Sequence, residues 1–309
     1  MATGLELANL GACGSSNQVG YNMDRGCPYN FQNTVELWRT PANFEFDLTQ
    51  NFNAAYIKSL QISGDLSIIK GITDFPENGT DALVETLPDN TEISAGAARY
   101  KYSPVFANKG DLHFNKLLKY LEGQGNNRFL FVDYAGNILF TQGSDSDKAR
   151  GFLTSRTARG KFTLQSPGVG QKATLDFQLA NTYELVDNFI MFLSEKLSFD
   201  PRTIEPIIQA TIAYTAVPSA SDVTITVNAK VSRGLEDYVV GATDTTDWKV
   251  TVNGTDNPVT VVAEAANVYT LTITAVATED VVNVSFNGVI DITGDGLYRS
   301  FVTSATTVA

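Results

Sequence analysis

In the stretch Asp222-Val-Thr-Ile-Thr-Val-Asn-Ala-Lys-Val231, apolar and polar residues alternate without a break. A period of two puts one set of side chains in a core and the other in water, which marks a half-buried β-strand. The pattern recurs on both sides. Thr211-Ile-Ala-Tyr214 precedes it. Asp247-Trp-Lys-Val-Thr-Val-Asn-Gly254 follows and ends in an Asn-Gly turn, with Val259 to Ala263 read as the returning strand. Val268-Tyr-Thr-Leu-Thr-Ile-Thr274 and Val281-Val-Asn-Val-Ser-Phe286 continue the run.

About seven short strands in about 100 residues, with turns between them, are the signature of an immunoglobulin-like β-sandwich. The segment contains no cysteine, so packing alone must hold its core. Its composition also sets it apart. Residues 205–309 hold 4 bases and 12 acids, a net −8, against 18 and 22, a net −4, in residues 1–204. No Cys, His or Met occurs in residues 205–309, and no Gln after Gln209. This shift places a domain boundary near Asp200-Pro201, between residues 31–204 and 205–309.

The part before the boundary is also mainly β. Signals begin at Val35, and Asn43-Phe-Glu-Phe-Asp-Leu-Thr49 alternates. Ala55 to Ile69 carries two periods. Leu60, Ile62 and Leu66 fit a strand, while Asn53 to Lys58 fits a helical turn. Leu66 to Ile72, Ala82 to Leu87 and Tyr100 to Phe106 read as strands. Leu112 to Glu122 is the one clear helix, with Asp111 as N-cap, a stripe of Leu112, Leu117, Leu118 and Leu121, and Gly123 as stop. Arg128 to Asp133 and Ile138 to Thr141 form a hairpin around Tyr134-Ala-Gly-Asn137. Gly151 to Ser155 and Gly160 to Ser166 are expected to flank a polar loop. Ala173 to Leu179 alternates cleanly, and Glu184 to Phe192 fits a strand or a short helix. Residues 1–30, rich in Gly, Asn and Ser, read as an extended arm whose Tyr21 and Tyr29, with Phe31, call for burial against a partner.

No catalytic, cofactor-binding or metal-binding residues emerge, and the chain is not expected to be an enzyme. His113, the one histidine, starts the helix and reads as structural; no Gly-x-Ser-x-Gly or phosphate-binding Gly-rich motif occurs. Asp145-Ser-Asp147 reads as a solvated loop rather than a cation site. Asp291-Ile-Thr-Gly-Asp295-Gly resembles the start of a calcium loop but has Val302 where the closing Glu belongs. Trp248 beside Tyr269 reads as core, with a sugar-binding platform as the alternative. Cys13 and Cys27 read first as free thiols, with a disulfide as the alternative. The sequons at Asn78, Asn253 and Asn283 carry no expectation of glycosylation. Met1 to Gly11 has no signal-peptide character, and no stretch approaches the ~18 apolar residues of a membrane span. We therefore expect no membrane anchor and synthesis in a cytoplasm. The net charge of −12 argues against binding along a phosphate backbone, though it suits a wall past which DNA slides.

Taken in order, the arm, the paired strands, the helix at Asp111 to Gly123, the hairpin at Arg128 to Phe140, the strands of Gly151 to Leu179 and the module at 205–309 resemble the tail-tube (major tail) proteins of long-tailed bacteriophages. Ile68 to Thr91 and the Val-Asp-x-x-Gly-Asn pattern of Val132 to Asn137 also look like phage structural proteins. The resemblance implies a tube-like β-sandwich or barrel with one flanking helix. It also implies a homo-oligomeric ring, usually hexameric, that stacks into a tube, contacts other virion proteins and passes DNA without specific binding. It implies no cofactor, and a location in the virion. A capsid-decorating or host-surface-binding virion protein that uses its Ig-like domain is the alternative.

Overall fold

The computed structural model describes residues 31–308 except 50–51, 82, 87, 90–91, 97, 108–113, 116–117, 124, 146, 165–169, 187, 232–236, 293–295 and 301–305. The fold is mainly β. The chain divides into two compact units, Met1–Ile204 and Glu205–Ala309.

In the first unit, the strands are β1 (Thr34–Pro41), β2 (Phe46–Asp47), β3 (Ser67–Lys70), β4 (Leu83–Thr86), β5 (Glu92–Gly96), β6 (Lys101–Tyr102), β7 (Val105–Phe106), β8 (Asn127–Asp133), β9 (Ile138–Gln142), β10 (Lys148–Arg150), β11 (Phe152–Arg159), β12 (Ala173–Leu179) and β13 (Phe189–Phe192). All but β4 and β5 join one eleven-stranded sheet with the main path β2-β10-β9-β8-β11-β12-β6. β1 pairs with β3 and β8, β13 with β9, and β7 with β12.

Strand β8 is buried along its whole length, and its side chains supply two cores. Phe129 and Phe131 point into one with Leu37, Phe152, Leu175 and Phe177. Leu130 and Val132 point into the other with Trp38, Phe46, Ile57, Ile138, Phe140 and Phe192. A strand covered on both faces needs apolar residues at successive positions, which is why Phe129 to Val132 do not alternate. The first core is rich in rings: Phe129 and Phe177 lie 4.8 Å apart, and Phe75 stacks on Tyr102 at 5.0 Å.

The second core is closed by a ten-residue helix, Ala54–Ser63, which buries Ile57, Leu60 and Gln61. The strand reading of Leu60 and Ile62 is thereby corrected, as is the expectation of a single flanking helix. Asn53 caps the helix through its side chain, which accepts from Tyr56 N at 2.9 Å. Gly64 ends it at φ 88, in the left-handed region. Of the helix expected at Leu112 to Glu122, Phe114, Asn115 and Leu118 are helical and Lys119–Leu121 is a 3-10 turn. Residues 111–113, including His113, lie outside the described residues, as do 116 and 117. Leu118 is buried in the first core.

Other boundaries also move. The strand expected at Asn43 to Thr49 is only Phe46–Asp47. The expected loop between Ser155 and Gly160 is absent, because β11 runs through to Arg159 with a register shift between Thr154 and Arg156. Gly160 to Ser166 is no strand in its described part; only Thr163 makes a bridge, to Lys172. Glu184 to Phe192 holds both elements expected as alternatives, a helical turn at Tyr183–Val186 and then β13.

The second unit has ten strands among the described residues rather than about seven: β14 (Ile208–Tyr214), β15 (Thr224–Val231), β16 (Trp248–Val252), β17 (Thr255–Asn257), β18 (Val261–Ala265), β19 (Val268–Thr272), β20 (Val281–Phe286), β21 (Val289–Ile292), β22 (Gly296–Ser300) and β23 (Thr306–Thr307). They form a six-stranded sheet, β18-β19-β15-β14-β22-β21, and a four-stranded sheet, β17-β16-β20-β23. Inner-face residues of both sheets share one core, with Val227, Tyr269 and Leu271 from one and Trp248, Val250, Val284 and Phe286 from the other. The Asn253-Gly254 turn has both residues left-handed, at φ 51 and 79, as a two-residue hairpin requires. Its return strand is Thr255–Asn257, however, not Val259 to Ala263. The latter region supplies β18, which lies in the opposite sheet.

Candidate functional site

Among the described residues, no group of three or more His, Cys, Asp or Glu side chains could hold a metal ion. Asp145 and Asp147 sit in the connection between β9 and β10, where Lys148 N donates to the Asp145 carbonyl at 3.0 Å. Asp291 lies on β21 and is exposed, and β22 pairs back from Gly296, so strands rather than helices flank this segment. Thr293 to Asp295 and Val302 are outside the described residues, as are Cys13, Cys27 and the arm 1–30.

Trp248 is core, and the sugar-platform alternative is overturned. It is 4% exposed, its ring lies 4.9 Å from that of Tyr269, and its Nε1 donates to the Ala242 carbonyl at 2.8 Å. Tyr269 donates its hydroxyl proton to the Val239 carbonyl at 2.8 Å. Burial pushes its phenol up to about 12.

The structure gathers polar groups in three places. First, the Asp133 carboxylate closes the β8–β9 turn. Its Oδ1 accepts from Asn137 N at 2.8 Å, and its Oδ2 from Asn137 Nδ2 at 2.9 Å and Gln32 N at 3.0 Å. Gly136 takes φ +86, and Asn137 Oδ1 accepts from Ser194 N at 3.0 Å. The Val-Asp-x-x-Gly-Asn pattern at Val132 to Asn137 is thus a turn lock. Phe31, just before Gln32, packs partly buried against the first core of its own unit. That part of the expectation of an arm resting on a partner is therefore corrected.

Second, Arg128 and Glu184 pair at 3.2 Å with side chains only 6% and 7% exposed. Arg128 also donates to the carbonyls of Ala42 at 2.7 Å and Gly151 at 2.8 Å. Glu184 Oε2 accepts from Leu153 N at 2.8 Å. Arg150 reaches Glu184 at 3.6 Å and Glu45 at 3.7 Å, and Glu45 accepts from Ser144 N and Oγ at 2.8 and 2.7 Å. Burial lowers the pKa of the Arg128 guanidinium, with Glu184 opposing the shift. The hydrogen bonds to Ser144 lower that of Glu45. These groups bind one another and backbone atoms. Sequence reading missed the network because its partners are far apart along the chain. Its one signal was a charged residue, Arg128, at the second position of β8, a strand buried along its whole length.

Third, Arg202 grips Asp200 through Nε at 2.9 Å and Nη2 at 2.6 Å, and donates from Nη1 to the Tyr134 carbonyl at 2.6 Å. This clasp fixes the end of the first unit against the β8–β9 turn.

Two places in the strand pairing end without a further partner strand among the described residues. β4 and β5 pair with each other and, among the described residues, with no other strand. Beside β13, which pairs only with β9 among the described strands, Tyr183, Val186 and Phe189 are 63%, 52% and 38% exposed. No helix among the described residues is long and apolar enough to cross a membrane. No protein-family model and no curated protein matches the chain.

Proposed function

We propose that the chain is a virion structural protein that assembles with copies of itself into stacked rings forming a phage tail tube. In this reading it is made in the host cytoplasm, resides in the virion, contacts other virion proteins and lets DNA pass without binding it specifically. The observation that carries the reading is the β4–β5 hairpin. A two-stranded hairpin alone is marginal in water, and an uncovered strand edge invites pairing with another chain. In a repeating assembly the hairpin gains a partner strand from a neighbouring subunit. The open edge of β13 with its exposed Tyr183, Val186 and Phe189 fits the same role, because contiguous exposed apolar surface marks association sites. The net charge of −12 suits a conduit that repels DNA.

Negative-stain microscopy of the purified full chain tests the proposal across concentration and salt. Rings or hollow polymers are the expected result, and a chain that stays monomeric throughout refutes it. A variant with residues 83–96 replaced by a short Gly-Ser loop is expected to remain folded and to lose the polymers.

A further inference from the structure

Three Asn-Gly pairs occur in the chain, at 78–79, 253–254 and 287–288. The same two residues therefore stand in three different settings, and their chemistry can be compared within one molecule. An Asn followed by Gly converts when the glycine nitrogen attacks the asparagine side-chain carbonyl carbon. A C–N bond forms, ammonia leaves, and water then opens the cyclic imide to aspartate or isoaspartate. The step needs a side chain free to swing onto the backbone and a glycine N–H free to act.

Two of the pairs lack this freedom. Asn253 is held at both ends of its amide, with Nδ2 donating to Asp280 Oδ1 at 2.7 Å and Oδ1 accepting from Val281 N at 2.8 Å. Asn287 donates from Nδ2 to the Thr246 carbonyl at 3.2 Å, and the next nitrogen, Gly288 N, is engaged with the Phe286 carbonyl at 2.9 Å. Asn78 differs. It is exposed, and its side chain has no hydrogen-bond partner among the described residues. Its backbone N donates to the Lys101 carbonyl at 2.7 Å and Thr80 N to the Arg99 carbonyl at 2.9 Å, while Gly79 N between them makes no such bond among the described residues. Glycine is dictated here, because a Cβ at position 79 would collide with the Arg99 carbonyl oxygen. The close pairing of the two segments thus forces a reactive dipeptide onto an exposed stretch between two antiparallel bridges.

We propose that Asn78 is a site of self-modification, converting to aspartate and isoaspartate while Asn253 and Asn287 are preserved. The conversion adds a negative charge beside Glu77. In its isoaspartate form it also inserts an extra backbone atom between the Glu77–Tyr102 and Thr80–Arg99 bridges.

The experiment is ageing of the full chain in warm, mildly alkaline buffer, followed by peptide mapping that separates aspartate from isoaspartate. A parallel sample is denatured in urea. In the folded chain, residue 78 is expected to convert well ahead of 253 and 287, and in the denatured chain the three rates should draw together. Asn78→Gln should remove the first acidic species seen on isoelectric focusing. Asp280→Ala, which removes the Nδ2 partner of Asn253, should raise conversion at 253 alone. Conversion at 253 or 287 as fast as at 78 in the folded wild type would overturn the proposal, and so would an unmodified Asn78 once the denatured sample has converted.

Discussion

Replacing Glu184 with Ala should unfold the first unit far more readily than its place on a four-residue helical turn suggests. The carboxylate is 7% exposed and satisfies Arg128, which is 6% exposed, together with the amide of Leu153. Arg128 keeps the Ala42 and Gly151 carbonyls when Glu184 is gone, but it loses its buried counter-charge. Removing one partner of a buried ion pair costs roughly 3–5 kcal/mol, because the stranded charge stays desolvated. With a urea dependence of about 3 kcal/mol per molar for a unit of this size, the midpoint should fall by roughly 1–2 M. The chain has two tryptophans, Trp38 in the first unit and Trp248 in the second. In a Trp248→Phe background, fluorescence therefore reports the first unit alone. The double variant Arg128→Met/Glu184→Leu should recover part of the loss, since it removes the stranded charge and leaves only the Leu153 amide and the Ala42 and Gly151 carbonyls without their side-chain partners. A loss below about 1 kcal/mol for Glu184→Ala would refute the reasoning, being the level of a solvated surface pair. A double variant no better than the single one would refute it too.

Asp133→Ala removes the acceptor for Asn137 N, Asn137 Nδ2 and Gln32 N, and should cost roughly 2–4 kcal/mol in the same urea assay. The Tyr269 phenol, pushed up to about 12, makes the second unit sensitive to alkali. Its raised value means that the folded state holds the proton which the unfolded state loses near pH 10, so stability is full below about 10 and falls as pH rises toward 12, by up to about 2–3 kcal/mol. Trp248 fluorescence during alkaline titration checks this, and Tyr269→Phe should flatten that limb.

Regular strands were legible where one face is buried. Ala173 to Leu179 alternates in sequence, and in the structure every second residue is buried. The Ala54–Ser63 helix was ambiguous because Leu60 and Ile62, two apart, imitate a strand. Ile57 and Leu60 reach the second core, while Ile62 is 44% exposed. The side-chain cap at Asn53 and the glycine at 64 were the local signals that separate the two readings. β18 could not be placed from sequence, since its alternation is the same in either sheet of a sandwich. What decides is the short Thr255–Asn257 strand, which already completes the hairpin from Asn253-Gly254. The polar sites were harder still. Arg128 meets Glu184 across 56 residues and Asp133 meets Gln32 across 101, distances over which no spacing rule operates.

Several charged side chains of the first unit bind backbone groups far along the chain. Arg128 binds the carbonyl of Ala42, 86 residues away, and Lys70 that of Arg202, 132 away. Such ties hold surfaces in fixed positions. A repeating assembly needs that, because ordering a loose contact surface at each new interface costs roughly 0.5–1.5 kcal/mol per immobilised side chain. Tyr183 and Val186 flank Glu184 and Leu185 on the same helical turn, so Glu184 anchors the exposed apolar patch proposed for subunit contact. The Glu184→Ala chain should therefore polymerise only at higher concentration, even where Trp38 fluorescence shows the first unit still folded. Light scattering against concentration measures the threshold. A threshold unchanged from wild type under those conditions would separate the patch from assembly and leave the ion pair a matter of stability alone.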